Sequence, residues 1–312
     1  MNAPTSGTGP GSQLSTPYKP VILITGCGSG IGLALAELLE AQLGYRIVVT
    51  ARAHSIPALR VRFPETDRFT VRALDVKVES QREGLVADVA STWGGVNILI
   101  NNAGVSYRAV VEHMSDSEEQ NQFDVNYFGP VGLIRAVLPG MRQVGRGKII
   151  NVSSVSGRLA MPTMGSYSAS KYALEGLSEA LWYEMRPFGI NVTLIQPGFV
   201  RSNSFLKVRH AVLAAPERSV DGLYGDYYAN MTPFIERLMN LSLTTPQQIA
   251  RRILKVIHTR NPPLWIPTTL DAMTFYYLRR FLPRKFLLPF LFAALPRVRE
   301  WGRRHTNAKR WP

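Results

Sequence analysis

A short apolar run, Val21-Ile22-Leu23-Ile24, passes directly into Thr25-Gly26-Cys27-Gly28-Ser29-Gly30-Ile31-Gly32, after which the chain takes up a helical rhythm in Leu33-Ala34-Leu35-Ala36-Glu37-Leu38-Leu39. A strand that turns straight into a helix must return by a crossover, so the next strand of its sheet runs parallel to it. The pattern recurs down the chain. Strand-like runs stand at Val21-Ile24, Ile47-Thr50, Phe69-Leu74, Ile98-Ile100, Lys148-Val152 and Asn191-Ile195, and helical patterns fall near 31–43, 79–93, 118–143, 166–186 and 246–258. This alternation predicts an α/β fold, a doubly wound parallel sheet with helices on both faces. At 312 residues the chain could hold two domains, but it reads as one with two appendages.

The glycine-rich turn is the kind that holds phosphate. Glycines let the backbone come close to a pyrophosphate, and the first amides of the following helix, with its positive dipole end, favour negative charge. Alone the turn is a weak signal, because a tight strand-to-helix turn needs glycine anyway. Tyr167 and Lys171 add to it. They are four apart within a helical stretch, so they share a helix face and a cation meets a phenol. A neighbouring ammonium favours the phenolate and makes the phenol usable as a general acid or base. Ser154, thirteen residues before Tyr167 and just past an apolar strand, can hydrogen-bond an oxygen that gains negative charge. Each residue alone also fits a turn or a helix surface. Their order and spacing, with Asn101-Asn102-Ala103-Gly104 and Asn126 between them, describe one redox site at the carboxyl ends of parallel strands.

With these motifs the sequence resembles the short-chain dehydrogenase/reductase superfamily over roughly residues 20 to 260, and within it the branch of 17-beta-hydroxysteroid dehydrogenases, retinol dehydrogenases and bacterial aldehyde reductases. The resemblance implies a single-domain Rossmann-type fold and a nicotinamide cofactor. It assigns Gly26, Ser29, Gly30, Ile31 and Gly32 to the cofactor turn, Asp75 to the adenine and Asn102 to the segment after the fourth strand. Pro197 and Gly198 match the stretch beside the nicotinamide, where Ser202 stands in place of the family's usual threonine. Asn126, Ser154, Tyr167 and Lys171 match the catalytic group. Lys171 is expected to lower the Tyr167 pKa and bond the nicotinamide ribose, and Asn126 to hold a water leading to solvent. The resemblance also implies a homo-oligomer, a dimer or tetramer, in which the helices near 118–143 and 166–186 meet their symmetry mates. Leu174, Leu177 and Leu181 form a plausible seam or else face the sheet.

Between Gly44 and Pro64 there is no carboxylate to receive a ribose 2′-hydroxyl, and Arg52 follows the second strand. Its planar donors suit a 2′-phosphate, so NADP(H) is expected ahead of NAD(H). Cys27 reads as a small packed side chain, and the five histidines show no ligand spacing, so no metal is expected.

Residues 1–18 carry no charge, are rich in Gly, Pro, Ser and Thr, and read as a disordered lead-in without the features of a secretory signal. The enzyme domain is expected at 19–268. Within it 199–245 breaks into short pieces that cover the substrate, and its aromatics (Phe199, Phe205, Tyr224, Tyr227, Tyr228, Phe234) either line an apolar guest site or form a small core of their own. Residues 269–312 form a basic, aromatic-rich and apolar extension, expected to be helical. From 279 onward it carries ten Lys or Arg against one acid, a net +9 of the chain's +14. Phe-Leu blocks among arginines suit the surface of an anionic membrane. Packing onto the enzyme body is the alternative, and nucleic acid fits poorly because a polyanion gains little from aliphatic blocks. The function expected is reduction of a lipophilic aldehyde or ketone, or oxidation of the alcohol, by a cytoplasmic protein with peripheral membrane contact. An idle cofactor-binding scaffold is the second reading.

Overall fold

The computed structural model describes residues 18–201, 209–214 and 224–301. The strands are β1 (Val21–Ile24), β2 (Arg46–Ala51), β3 (Phe69–Ala73), β4 (Ile98–Asn101), β5 (Tyr107–Arg108), β6 (Gly147–Val152), β7 (Ile190–Gln196), β8 (Arg209–His210) and β9 (Trp265–Pro267). Seven of them form one sheet in the order β3-β2-β1-β4-β6-β7-β9, every pair parallel. The helices are α1 (Gly30–Glu40), α2 (Ile56–Arg62), α3 (Glu79–Trp93), α4 (Asp116–Phe123), α5 (Gly129–Val144), α6 (Gly165–Met185), α7 (Gly225–Leu241), α8 (Pro246–His258), α9 (Leu270–Phe281) and α10 (Arg284–Ala293).

Strand alternation divides the core in two. Ile22 and Ile24 point to the face covered by α1 and α8, where they join Leu35, Leu39, Ile47 and Ile253. Val21 and Leu23 point to the other face, with Leu133, Val137 and Leu181 from α5 and α6. Both faces are covered, so the strands read as continuous apolar runs. The strand order reverses between β1 and β4, and a ligand crevice opens at such a point beyond the carboxyl ends.

The structure departs from the sequence reading in places with identifiable causes. The helix expected across 118–143 is α4 and α5 joined by a π-helical turn, Asp124–Phe128. Within the 199–245 segment one long element stands where only short pieces were expected: α7 runs for 17 residues through Pro233. Buried Tyr228, Met231 and Ile235 hold one face of α7, and that packing outweighs the interior proline. A seventh strand, β9, pairs with β7 at the sheet edge, where a terminal proline is tolerated. The short α2 was also not legible. Leu174 and Leu181 are buried within the chain, and half-buried Leu177 packs against the core with Leu181, which favours the second of the two readings, that these leucines face inward. The lead-in to residue 17, Phe205 and Ser202 lie outside the described residues.

Candidate active site

The turn after β1 is shaped by close approach. Gly26 has φ +75°, and a Cβ on it would stand 2.7 Å from Ala103 Cα. A Cβ on Gly32 would be 2.5 Å from both Asn102 Nδ2 and Gly26 O, so the first turn of α1 presses on the glycine turn. Asn102 clamps it from the end of β4, its Nδ2 donating to Thr25 O at 2.9 Å and Gly26 O at 3.1 Å. The amides of Asn102 and Ala103 both donate to Thr25 Oγ1. Ser29, at the N-cap of α1, makes no side-chain capping bond, and the first turn holds no acid. The amides at this end are therefore available to an anion. Ser29, Gly30 and Ile31 line a cleft of about 570 Å³, together with Asp75, Asn102, Pro197 and Gly198. Arg52 lines it too and is exposed. The cradle fits the diphosphate of a dinucleotide, with Arg52 and Asp75 at the ends of neighbouring strands.

Tyr167 and Lys171 extend from α6 into the same cleft, and Ser154 faces them from the segment after β6. Ser154 Oγ accepts from Ser156 N at 3.1 Å, which leaves its proton to donate. Burial raises the Tyr167 pKa, and the Ser154 hydroxyl and the Arg108 guanidinium oppose that rise. Lys171 is 5 % exposed and donates from Nζ to Val152 O at 2.9 Å, with Nζ 5.9 Å from the Tyr167 ring centroid. Burial pushes the Lys171 pKa down to about 8, against the pull of Glu175. Asn126 sits within the π-helical turn and is fully buried. Its Oδ1 accepts from Val105 N and its Nδ2 donates to Val105 O, both at 2.9 Å, and Nδ2 also donates to Ser170 Oγ at 3.0 Å. The extra residue of a π turn, frequent at functional sites, lets this side chain reach across to the segment after β4.

Two buried charged residues at the site escaped the sequence reading. Glu175 continues the face of α6 one turn beyond Lys171, and that spacing was a signal available in the sequence. Its carboxylate accepts from Ser153 Oγ at 2.8 Å and Gln196 Nε2 at 2.7 Å, and pairs with Arg158 at 2.8 Å. The second is Arg108 on β5, 4 % exposed and lining the cleft. No spacing rule marks it. Cys27 is fully buried, and burial pushes its thiol up to about 12, as befits an inert packed side chain.

Beside the cleft lies an apolar cavity of about 890 Å³, walled by Leu238 and Leu241 of α7 and by Leu288, Leu291 and Phe292 of α10. Met161 and Phe199 line both spaces, so the two adjoin. Of the aromatics expected to cover the substrate, Phe199 and Phe234 line this cavity. Tyr224, Tyr227 and Tyr228 instead join Ala109, Val110 and Ala211 in a small core of their own, where the Tyr228 hydroxyl meets His113 Nδ1 at 2.9 Å.

The short chain dehydrogenase family model matches residues 20–212. The chain belongs to the short-chain dehydrogenases. A 3-ketodihydrosphingosine reductase of Bacteroides thetaiotaomicron is 35% identical over 243 residues, covering 78% of this chain and 85% of the relative. Retinol dehydrogenase 8 of Homo sapiens is 34% identical over 249 residues, covering 78% and 79%. Among solved structures, a short-chain dehydrogenase from Streptomyces avermitilis superposes with TM-score 0.73 at 31% identity, over 89% of this chain and 98% of that one. Short-chain dehydrogenases at 26% identity are known with NAD (Burkholderia phymatum, TM-score 0.69, 84% and 93% covered) and with NADP (a metagenomic enzyme, TM-score 0.60, 80% and 98% covered). The protein is thus an oxidoreductase of this family with a nicotinamide dinucleotide site.

Proposed function

We propose that this short-chain dehydrogenase uses NADP(H) to interconvert a long-chain or polycyclic carbonyl compound and its alcohol at a membrane surface. The large apolar cavity that adjoins the catalytic cleft at Met161 and Phe199 carries this reading. A reactive carbonyl at Tyr167 would leave its hydrocarbon in that cavity, where each buried CH₂ contributes about 0.8 kcal/mol. Two relatives bear names whose substrates, a sphingoid ketone and retinol, are lipophilic.

Bound with its diphosphate on the glycine turn, the cofactor supplies hydride. Ser154 donates a hydrogen bond to the substrate oxygen and holds it beside Tyr167. Tyr167, kept protonated by burial, gives its proton to that oxygen as negative charge develops, and takes one back in the oxidative direction. Lys171 restores the proton and orients the ribose, and Asn126 fixes the backbone around Val105 beneath it. Arg52 pairs with the 2′-phosphate. The intact group argues against an idle scaffold.

The membrane reading rests on the surface of α9 and α10, where Leu270, Phe281, Phe286, Leu288, Phe290 and Phe292 are all more than half exposed beside Arg279, Arg280, Arg284 and Lys285. No helix among the described residues is long and apolar enough to cross a membrane. A homo-oligomer, if it forms through α5 and α6, would use exposed Tyr183 and Val144 and the neighbouring Phe128 in place of the buried leucines, and light scattering at micromolar concentration would reveal it.

The test is NADPH oxidation against aldehydes and ketones graded by chain length. Rising kcat/KM from four to twelve carbons is expected, and a preference for small hydrophilic carbonyls would refute the substrate class.

A further inference from the structure

The catalytic face of α6 does not stop at Lys171. Glu175 stands one turn further on, so the two side chains are neighbours on the helix surface. Lys171 is buried, and Glu175 is the acid whose field favours its charged form against that burial. The carboxylate is buried too, in a place cleared for it, because a Cβ on Gly157 would stand 2.6 Å from Glu175 Oε1 and 2.8 Å from Ser153 Oγ. Its partners all donate. Ser153 Oγ does so at 2.8 Å from the residue after β6, and Gln196 Nε2 at 2.7 Å from the last residue of β7. Arg158 Nε closes on Glu175 Oε2 at 2.8 Å, while its guanidinium carbon lies 4.7 Å from the ring centroid of Trp265 on β9 and 5.5 Å from that of Tyr276 on α9. One carboxylate thus joins the helix that carries Tyr167 and Lys171 to the residues immediately before Ser154 and Pro197. Around the pair, α6 also presents Tyr167 and Tyr172, β5 presents Arg108 toward Tyr167, and Arg279 of α9 meets Tyr172. The π-helical turn, β6 and β7 contribute the neutral Asn126, Ser153 and Gln196.

Building on the reductase reading, in which Lys171 restores the Tyr167 proton, we propose that Glu175 is a positioning residue for this reaction: its carboxylate keeps Lys171 charged inside the cleft and ties Ser154 and the segment beside the nicotinamide to α6. An ammonium taken out of water gives up its proton more readily, and a neutral amine has none to pass to a phenol. A carboxylate on the next turn reverses part of that loss, and the low dielectric of a buried site strengthens its pull. Burial raises the Glu175 pKa, and the donors from Gln196, Arg158 and Ser153 oppose the rise. With donors on both oxygens, the group serves as a carboxylate.

The test reads Lys171 directly, by nitrogen-15 NMR of its side-chain ammonium, assigned by its absence from Lys171→Met, so this part does not depend on turnover. Glu175→Gln keeps the size and one acceptor and removes the charge. It should lower the Lys171 pKa by about one unit, the low end for an opposite charge nearby because Arg158 shares the carboxylate. The alkaline fall of kcat in NADPH-dependent reduction should move to lower pH by a similar amount. Glu175→Asp restores the charge and should bring both readings back toward the wild type, even where its shorter reach slows turnover. Glu175→Met, a second neutral variant that asks for no hydrogen bonds, should repeat the shift and guards against a glutamine variant that does not fold. A merely structural role would lower kcat equally at every pH with Lys171 titrating as in the wild type, and that result overturns the proposal. So does a shift that Glu175→Asp shows in full. Failure to oxidise NADPH with any carbonyl compound would refute the reductase reading instead, with the NMR titration still deciding the role of Glu175.

Discussion

Two regions of the molecule break the ordinary rule of burial in opposite directions. At the carboxyl end of the sheet, Lys171, Glu175 and Arg108 are each less than a tenth exposed. In α9 and α10, only Ala272 and Leu287 are buried, and phenylalanines stand in solvent. Charges inside and hydrocarbon outside both cost stability. At the sheet end, the bond from Lys171 to Val152 O, the bonds that Glu175 accepts from Ser153 and Gln196, and its ion pair with Arg158 offset part of the cost within the protein. In the C-terminal helices nothing within the described chain does so, which is the signature of a surface completed by something else. The sheet end gathers the candidate catalytic side chains, and the exposed helices are what the proposed membrane docking would use.

The boundary between the regions is not a flexible hinge. Gly198 N donates to Thr269 Oγ1 and Phe199 N to Asp271 Oδ2, both at 2.9 Å. The start of α9 is thereby latched to the stretch after β7 that lines the cleft. The sequence reading placed a domain boundary at 268/269, and the latch runs across it. A truncation meant to remove the docking surface must therefore come after Leu282.

That truncation should produce the largest effect. It removes eight Lys or Arg along with the Phe-Leu blocks. With about 1 kcal/mol per cation at an anionic surface, even half of them predict a loss of roughly a thousandfold in vesicle partitioning. Co-sedimentation with anionic vesicles would show it, and a residual salt-resistant fraction in the full-length protein would report the apolar part. If the shortened protein sediments equally well, the two regions are not divided as described.

Tyr167→Phe should reverse the outcome, losing about 10²–10⁴-fold in turnover with vesicle binding intact. Steady-state rates alongside cofactor titration check it, and more than a tenth of the activity retained would remove Tyr167 from its role. Arg52→Ala should weaken NADPH by about ten- to a hundredfold and NADH hardly at all. Equal losses for both cofactors would count against the 2′-phosphate contact.

The smallest effect sharpens the claim that the sheet end stores a buried charge. Lys171 has a folded pKa of about 8, below its unfolded value, so the unfolded chain binds the extra proton between them and stability from this group rises with pH. Relative to Lys171→Met, the wild type should gain about 2 kcal/mol between pH 8 and 10. Urea unfolding of both proteins at each pH isolates this difference from Cys27, whose raised pKa works the other way. A flat difference would mean Lys171 is solvated.

Much of this was legible in the sequence because it is local. A strand followed by Gly26 to Gly32 and a helix carries its own periodicity, and Tyr167 with Lys171 needs only the pitch of one helix to come together. Ser154 and Asn102 were found by their places after apolar strands. What escaped was set by distant contacts. The π turn at Asp124–Phe128 looks helical residue by residue and exists because Asn126 reaches Val105, 21 residues away in sequence. Helix α7 was hidden by Pro233, whose cost is offset by a face that packs elsewhere.

The sequence by itself determined the parallel sheet, the glycine turn and the spacing that brings the candidate catalytic side chains into one cleft, since these follow from dihedral preferences and the places of polar side chains at strand ends. Only the tertiary structure decided which charges are buried and which apolar groups are not. Arg108 becomes a cleft residue because β5 is pinned to α4 and α6, and the Phe-Leu pattern of α10 is left outside because no element among the described residues covers it. Burial depends on what packs against a residue, and a linear pattern records only what could.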